Sequence, residues 1–174
     1  MNEVLKKAKN IKLVIFDVDG VLTDGSLFYG DDGQEYKAFH SRDGHGMKML
    51  RDSGVEIGII TGRTSHVVKH RMKNLNVDHV YQGRLEKLPA FEELIGKLKL
   101  QPEQVAYVGD DVVDLPIMIR VGLAITVPGA HELAKQHAHW VTTRAAGAGA
   151  GRDVCEMIMK AQGTYESIMA KYLA

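Results

Sequence analysis

The stretch Ile11 to Asp24, IKLVIFDVDGVLTD, constrains this chain more than any other. Ile11, Leu13, Val14, Ile15 and Phe16 make the short, nearly continuous apolar run that a strand buried on both faces of a parallel sheet carries. Asp17 and Asp19 follow where that run stops. In extended chain both carboxylates project to the same side, and Gly20 then lets the backbone turn sharply beside whatever they hold. Open α/β sheets bind ligands at the carboxyl ends of their strands. Two acids so placed repel or share a cation, and the hard cation suited to carboxylate oxygens is Mg²⁺. The plainer alternative is an Asx-type turn leaving a strand.

A chain of 174 residues with no Pro/Ser-rich linker or shift in composition is expected to form one domain over 1–174, large enough to bury a core without a structural metal or disulfides. Lys plus Arg equals Asp plus Glu, at 22 each, so no global field favours nucleic acid or an anionic membrane. An anionic ligand must be caught by local cations. Cys155 is the single cysteine and sits among Val154, Met157 and Ile158, which points to a packed helix face in a reducing cytoplasm. MNEVLKKAKN lacks the apolar core of a signal peptide, and no apolar run approaches the ~18 residues of a membrane span.

Beyond the acidic loop, the Asp32-Gly33 step between two β-prone runs predicts a hairpin over about 25–40. Its apolar residues, Leu27, Phe28, Tyr29, Tyr36 and Phe39, leave no clean polar face, so a flap over the site, a subunit contact or packing on its own core would each cover it. Ser41 or Asp43 is expected to cap a helix ending at Gly54, and Ser65 another over His66 to Leu75. His66 and His70 lie one turn apart without the pattern of a zinc helix, so they read as a solvated face. Further strands are expected at Val55–Ile60, His79–Tyr81, Gln104–Val108, Val121–Val127 and Trp140–Val141. Helices are expected over Glu86–Leu98, His131–Gln136 and Asp153–Ala161, the last opening a C-terminal part of about 152–174. Such alternation predicts a doubly wound parallel sheet whose right-handed crossovers bring several strand ends to one edge.

Lining up those ends collects Asp17, Asp19, Thr61, Asp110, Asp111 and Asp114, with Lys87 at a helix start. There is no Gly-x-Ser-x-Gly elbow and no P-loop, and Arg152 interrupts a Gly-x-Gly-x-x-Gly reading of the late glycines. Carboxylates with one hydroxyl and one ammonium suit phosphoryl transfer. A metal spreads the charge of the transferring group, the lysine neutralises an equatorial oxygen, and a hydroxyl with a backbone N–H grips another. A carboxylate can then act as nucleophile.

DVDGVLTD, the strand-terminal Thr61, Lys87 and GDDVVD, in that order, resemble the four motifs of the haloacid dehalogenase superfamily of phosphohydrolases. DGSLFYGDDGQEYKAFHSRDGHG, IITGR, YQGRLEK and YVGDDVVDLP extend the resemblance over nearly the whole chain, to its small phosphatases of an eight-carbon sugar acid phosphate in lipopolysaccharide precursor synthesis. The resemblance implies a Rossmann-like core with a hairpin flap and no large cap domain. Asp17 would be the nucleophile, and Asp19 the acid toward the leaving oxygen and then the base toward water. Mg²⁺ would be held by the Asp17 carboxylate, the Asp19 carbonyl and Asp110, with Asp111 or Asp114 orienting its shell. Thr61, Gly62 and Lys87 would hold the phosphoryl group. His40, Ser41, Arg42, Asp43, Gly44, Lys48, Arg63 and Arg71 match positions near substrate; Lys48 and Arg71 also read as ordinary basic helix faces. A homotetramer with hairpins paired between subunits is implied as well.

The segment AAGAGAGRD departs from the pattern of those sugar acid phosphatases by being one residue shorter and lacking an internal basic residue, and reads either as a closure over a neighbouring site or as a flexible connector. Three other readings compete with this one. A nine-carbon analogue as substrate would use the same residues, whereas a non-catalytic oligomerisation domain predicts eroded motifs that are not seen. A signalling receiver would place its acceptor acid on a middle strand, which is the wrong order here.

Overall fold

In this computed structural model, which describes residues 2–174, helix α1 (Asn2–Ala8) leads into β1 (Leu13–Phe16), the acidic loop and a short antiparallel hairpin of β2 (Phe28–Tyr29) and β3 (Glu35–Tyr36). Then α2 (Ser41–Asp52), β4 (Glu56–Ile60), α3 (His66–Asn74), β5 (His79–Tyr81), α4 (Leu88–Leu98) and β6 (Val105–Val108) alternate. They are followed by α5 (Leu115–Met118), β7 (Leu123–Thr126), α6 (Glu132–His137), β8 (Trp140–Val141), α7 (Ala150–Gln162) and α8 (Tyr165–Ala170). The main sheet has the order β5-β4-β1-β6-β7-β8, every pair parallel. It is the doubly wound sheet that the alternation predicts, with a hairpin and no large cap.

All four residues of β1 are buried because helices cover both faces. Period-two alternation sorts them. Val14 and Phe16 join α2, α3 and α7 in one apolar cluster with Leu50, Met72, Val154 and Ile158. Leu13 and Ile15 join α4, α5 and α6 in the other, with Phe91, Leu94, Ile117 and Ala134. Cys155 is wholly buried, and burial pushes its thiol far up, in keeping with a packing role.

Local details depart from the expectations at helix starts. The cap of α2 is His40, whose ring Nδ1 accepts the Arg42 N–H, in place of Ser41 or Asp43. Ser65 occupies the N-cap position of α3 without making a side-chain cap bond. α4 begins two residues later than expected, with Lys87 as its N-cap residue, and α7 begins three residues earlier, taking in Ala150 and Gly151. The glycine segment is no loose connector: the Gly147 N–H donates to the Val21 carbonyl, and a Cβ on Gly147 would run into the backbone of Thr23 and Asp24.

Candidate active site

β1 lies between β4 and β6, so the carboxyl ends of three neighbouring strands meet at the middle of one sheet edge. Asp17 and Asp19 leave β1, Thr61 and Gly62 leave β4, and Asp110 and Asp111 leave β6. With Arg63, Leu85, Lys87 and Val113 they line a cavity of about 270 Å³. Gly20, at φ +83°, makes that convergence sterically feasible, since a Cβ there would fall on the Asp110 carboxylate.

Lys87 is the centre of the charge pattern. Its ammonium, 1 % exposed, donates to Asp17 Oδ2 at 2.5 Å and to Asp114 Oδ1 at 2.7 Å. Burial alone would lower its pKa, but the two carboxylates override that and hold it above the ordinary lysine value. Asp114 is fully buried. Its Oδ1 also accepts the Tyr107 hydroxyl at 2.6 Å, and its Oδ2 accepts the N–H groups of Asp110 and Asp111 at 2.9 and 3.1 Å. Burial and Asp114 push the Tyr107 hydroxyl well above its usual pKa, so it acts as a donor only.

Burial pushes the Asp17 carboxyl up to about 6; Lys87 pulls against this and Asp114 adds to it. Burial likewise carries Asp110 to about 7, with Asp114 and Asp17 contributing. Oxygens of Asp17, Asp110 and Asp114 lie within 4.8 Å of one another. Asp114 already receives four donors, which fills its acceptor capacity. Among the described residues, no donor reaches the Asp110 carboxylate. A crowded, desolvated pair of carboxylates, one of them without hydrogen-bond partners, fits a hard divalent cation between Asp17 and Asp110, with Asp114 as the brace behind it.

The hairpin reaches into this site. Lys37 Nζ, on a side chain 1 % exposed, pairs with Asp19 Oδ1 at 2.5 Å and with Glu35 Oε1 at 3.2 Å. Glu35 also accepts Arg63 Nη2 at 3.1 Å, and the same nitrogen donates to the Tyr29 hydroxyl. Arg63 Nε stands 3.8 Å from Asp19 Oδ2. These contacts tie β2, β3 and the loop after β4 to the acidic loop. Sequence reasoning singled out neither Lys37, Glu35 nor Tyr107. The signal for the first two was the Glu-x-Lys spacing, which puts both side chains on one face of a strand.

Of the expected substrate contacts, only Arg63 lines the cavity. His40, Asp43, Gly44 and Arg71 surround a separate pocket of about 10 Å³. Asp43 is buried, and its Oδ1 accepts the Arg152 N–H at 2.9 Å, tying α2 to α7. Arg71 stacks over the Phe39 ring at 5.8 Å. Ser41, Arg42 and Lys48 are exposed on α2. Asp111 caps the turn after β6, its Oδ1 accepting the Val112 N–H at 2.7 Å.

The family model for haloacid dehalogenase-like hydrolases matches residues 32–122. The chain is 46% identical over 165 residues to the 3-deoxy-D-manno-octulosonate 8-phosphate phosphatase KdsC of Yersinia pestis, covering 95% of this chain and 88% of that one. The crystal structure of a probable YrbI family phosphatase from Pseudomonas syringae superposes with a TM-score of 0.98 at 46% identity, over 100% of this chain and 99% of the other. A 3-deoxy-D-manno-octulosonate 8-phosphate phosphatase from Moraxella catarrhalis, solved with magnesium, phosphate and KDO, superposes with a TM-score of 0.97 at 42% identity, over 99% of both chains. The match in motif order, sheet order and length makes this chain a member of the haloacid dehalogenase-like hydrolases.

Proposed function

We propose that the protein is a Mg²⁺-dependent phosphatase that hydrolyses 3-deoxy-D-manno-octulosonate 8-phosphate to the free sugar acid and phosphate, in lipopolysaccharide precursor synthesis, as a single domain over 1–174. The observation that carries this reading is the buried Lys87 bridging Asp17 and Asp114 at the edge of the cavity, beside an Asp110 carboxylate that receives no hydrogen-bond donor among the described residues. Burial raises Asp17 to about 6 and Asp110 to about 7 at that same cavity, and acids perturbed in this way cluster at functional sites. The relatives of known substrate supply the sugar acid.

Asp17 Oδ1 is fixed by the Val18 N–H and Oδ2 by Lys87, which aims the carboxylate into the cavity. It attacks phosphorus, and the bond from phosphorus to the sugar oxygen breaks as Asp19 gives that oxygen a proton. Asp19 then takes a proton from water, whose oxygen attacks phosphorus and releases Asp17 and phosphate. Thr61, the Gly62 N–H and Lys87 hold the phosphoryl oxygens. Mg²⁺ bound by Asp17, the Asp19 carbonyl and Asp110 supplies charge stabilisation for the phosphoryl group. We assign the sugar carboxylate to Arg63 at the cavity. Ser41, Arg42, Lys48, Arg71 and His40 are assigned supporting contacts from outside it, and Asp43 and Gly44 shape the pocket beneath Arg71.

We further propose a cytoplasmic homotetramer with sites near subunit interfaces. Support comes from the half-exposed Leu27, Phe28, Tyr29 and Tyr36 clustered on the hairpin. No helix among the described residues is long and apolar enough to cross a membrane.

The test is phosphate release with Mg²⁺ present from eight- and nine-carbon sugar acid phosphates, hexose phosphates and nucleotides. The eight-carbon compound is expected to lead by at least about tenfold in kcat/KM, the low end of the discrimination that one carbon's misfit in a shaped pocket provides. Equal hydrolysis of all classes overturns the substrate, and preference for the nine-carbon compound replaces it.

A further inference from the structure

We propose that Lys37 of the hairpin is a positioning residue for the reaction: it holds the Asp19 carboxyl group by one oxygen and leaves the other to pass the proton. The proposal rests on the assignment of Asp19 as acid and base. Lys37 is the only cation within hydrogen-bond range of Asp19 among the described residues, at 2.5 Å from Oδ1, whereas Arg63 Nε stays at 3.8 Å from Oδ2. An ammonium carries donors and no acceptor. Oδ1 is therefore an acceptor in either protonation state of Asp19, and the proton, when present, resides on Oδ2.

The hold is stiff. The Lys37 side chain is 1 % exposed, and Glu35, two residues back, pairs with the same ammonium at 3.2 Å. Glu35 is in turn fixed by Arg63 from the loop after β4. A carboxyl clamped through one oxygen cannot rotate its proton away from the leaving group. Proton delivery then has its geometry set before substrate arrives. In the first step the Asp17 oxygen bonds to phosphorus, the bond to the leaving oxygen breaks, and the Oδ2 proton moves to that oxygen. Asp19 is left as a carboxylate, still gripped by Lys37.

This predicts a dependence on the leaving group. An oxygen that departs as a poor anion needs the proton; p-nitrophenolate departs without one. The experiment measures kcat/KM for wild type, Lys37→Met, Lys37→Arg and Asp19→Asn with Mg²⁺ on 3-deoxy-D-manno-octulosonate 8-phosphate and on an aryl series from p-nitrophenyl to phenyl phosphate. In Lys37→Met the ratio of the phenyl to the p-nitrophenyl rate is expected to fall at least about fivefold, part of the roughly 100- to 10,000-fold that a general acid contributes. Lys37→Arg should restore most of it. Uniform loss across the series, with the ratio within about twofold of wild type, means a structural role and overturns the proposal; so does loss on the sugar substrate alone, which marks a direct contact with the sugar acid. Asp19→Asn separates the two levels. If it lowers the ratio while Lys37→Met does not, only the role of Lys37 falls; if it leaves the ratio unchanged, the assignment of Asp19 falls with it. Should Lys37→Met fail to fold by circular dichroism, Lys37→Leu, which also removes the donor, carries the same comparison.

Discussion

Asp114 receives four hydrogen bonds and leaves none of its acceptor capacity for a metal, whereas Asp110, one turn of chain away, receives none on its carboxylate among the described residues. That division of labour between neighbouring acids gives three expectations. Asp17→Asn keeps the shape of the side chain and removes the nucleophilic charge, so turnover should fall by at least about 1,000-fold with the fold intact; single-turnover kinetics and circular dichroism check both halves. Tyr107→Phe removes the donor on Asp114 Oδ1 without a cavity and should cost about 1–2 kcal/mol, a fall in Tm of roughly 2–8 °C. The third concerns pH. In the metal-free protein Asp110 titrates near about 7 against an ordinary 3.8, so the folded state binds a proton more tightly than the unfolded one. Stability from this group therefore declines as pH rises from about 4 to about 7. Mg²⁺ binds the ionised form, so the rise in Tm that it produces should be larger at pH 8 than at pH 5.5, and EDTA should reverse it. An equal rise at both pH values counts against Asp110 as a ligand. The acids themselves were legible in the sequence because their spacing at a strand end has a geometric meaning. The roles of Lys37 and Tyr107 were not, because each depends on a partner 18 or 7 residues away that only the folded chain brings within reach.

At the scale of elements, the strands announced themselves through apolar runs, and every expected strand and helix is found in its expected order; the helices α1, α5 and α8, none longer than seven residues, went unread because so short a stretch carries too little periodicity to register. Helix starts were harder to read. His40 caps α2 with a ring nitrogen in place of the usual hydroxyl or carboxylate, and Lys87 opens α4 with its side chain spent on Asp17 and Asp114. The glycine segment before α7 looked loose in sequence, yet its positive-φ residues are required by packing. Gly147, at φ +64°, lies against Thr23 and Asp24, just past the acidic loop. Gly147→Val should cost about 1–3 kcal/mol from backbone strain, with further loss from the clash, and thermal unfolding reads this directly. If the displaced loop carries Asp19 with it, kcat should fall more than stability does.

At the scale of the whole molecule, the hairpin is an appendage of the core that lends Lys37 to the site and turns an apolar outer surface to solvent. Deleting residues 26 to 40 should leave the six-stranded sheet folded and convert the proposed tetramer to monomers; light scattering that still reports a tetramer disposes of the hairpin as its seam. The balance of 22 cations and 22 anions says nothing of that assembly, which is why the sequence exposed the surface but not its partner. The strand order has its own consequence. Nucleophile, hydroxyl and acid ride on β1, β4 and β6, the inner ladders, while β5 and β8 form the rims. Rims fray first and inner ladders last. Backbone amides of Phe16, Ile59 and Val108 should therefore be among the slowest to exchange with deuterium. On gradual warming, the machinery that cleaves phosphate should outlast the borders of the sheet and vanish only when the entire molecule comes apart.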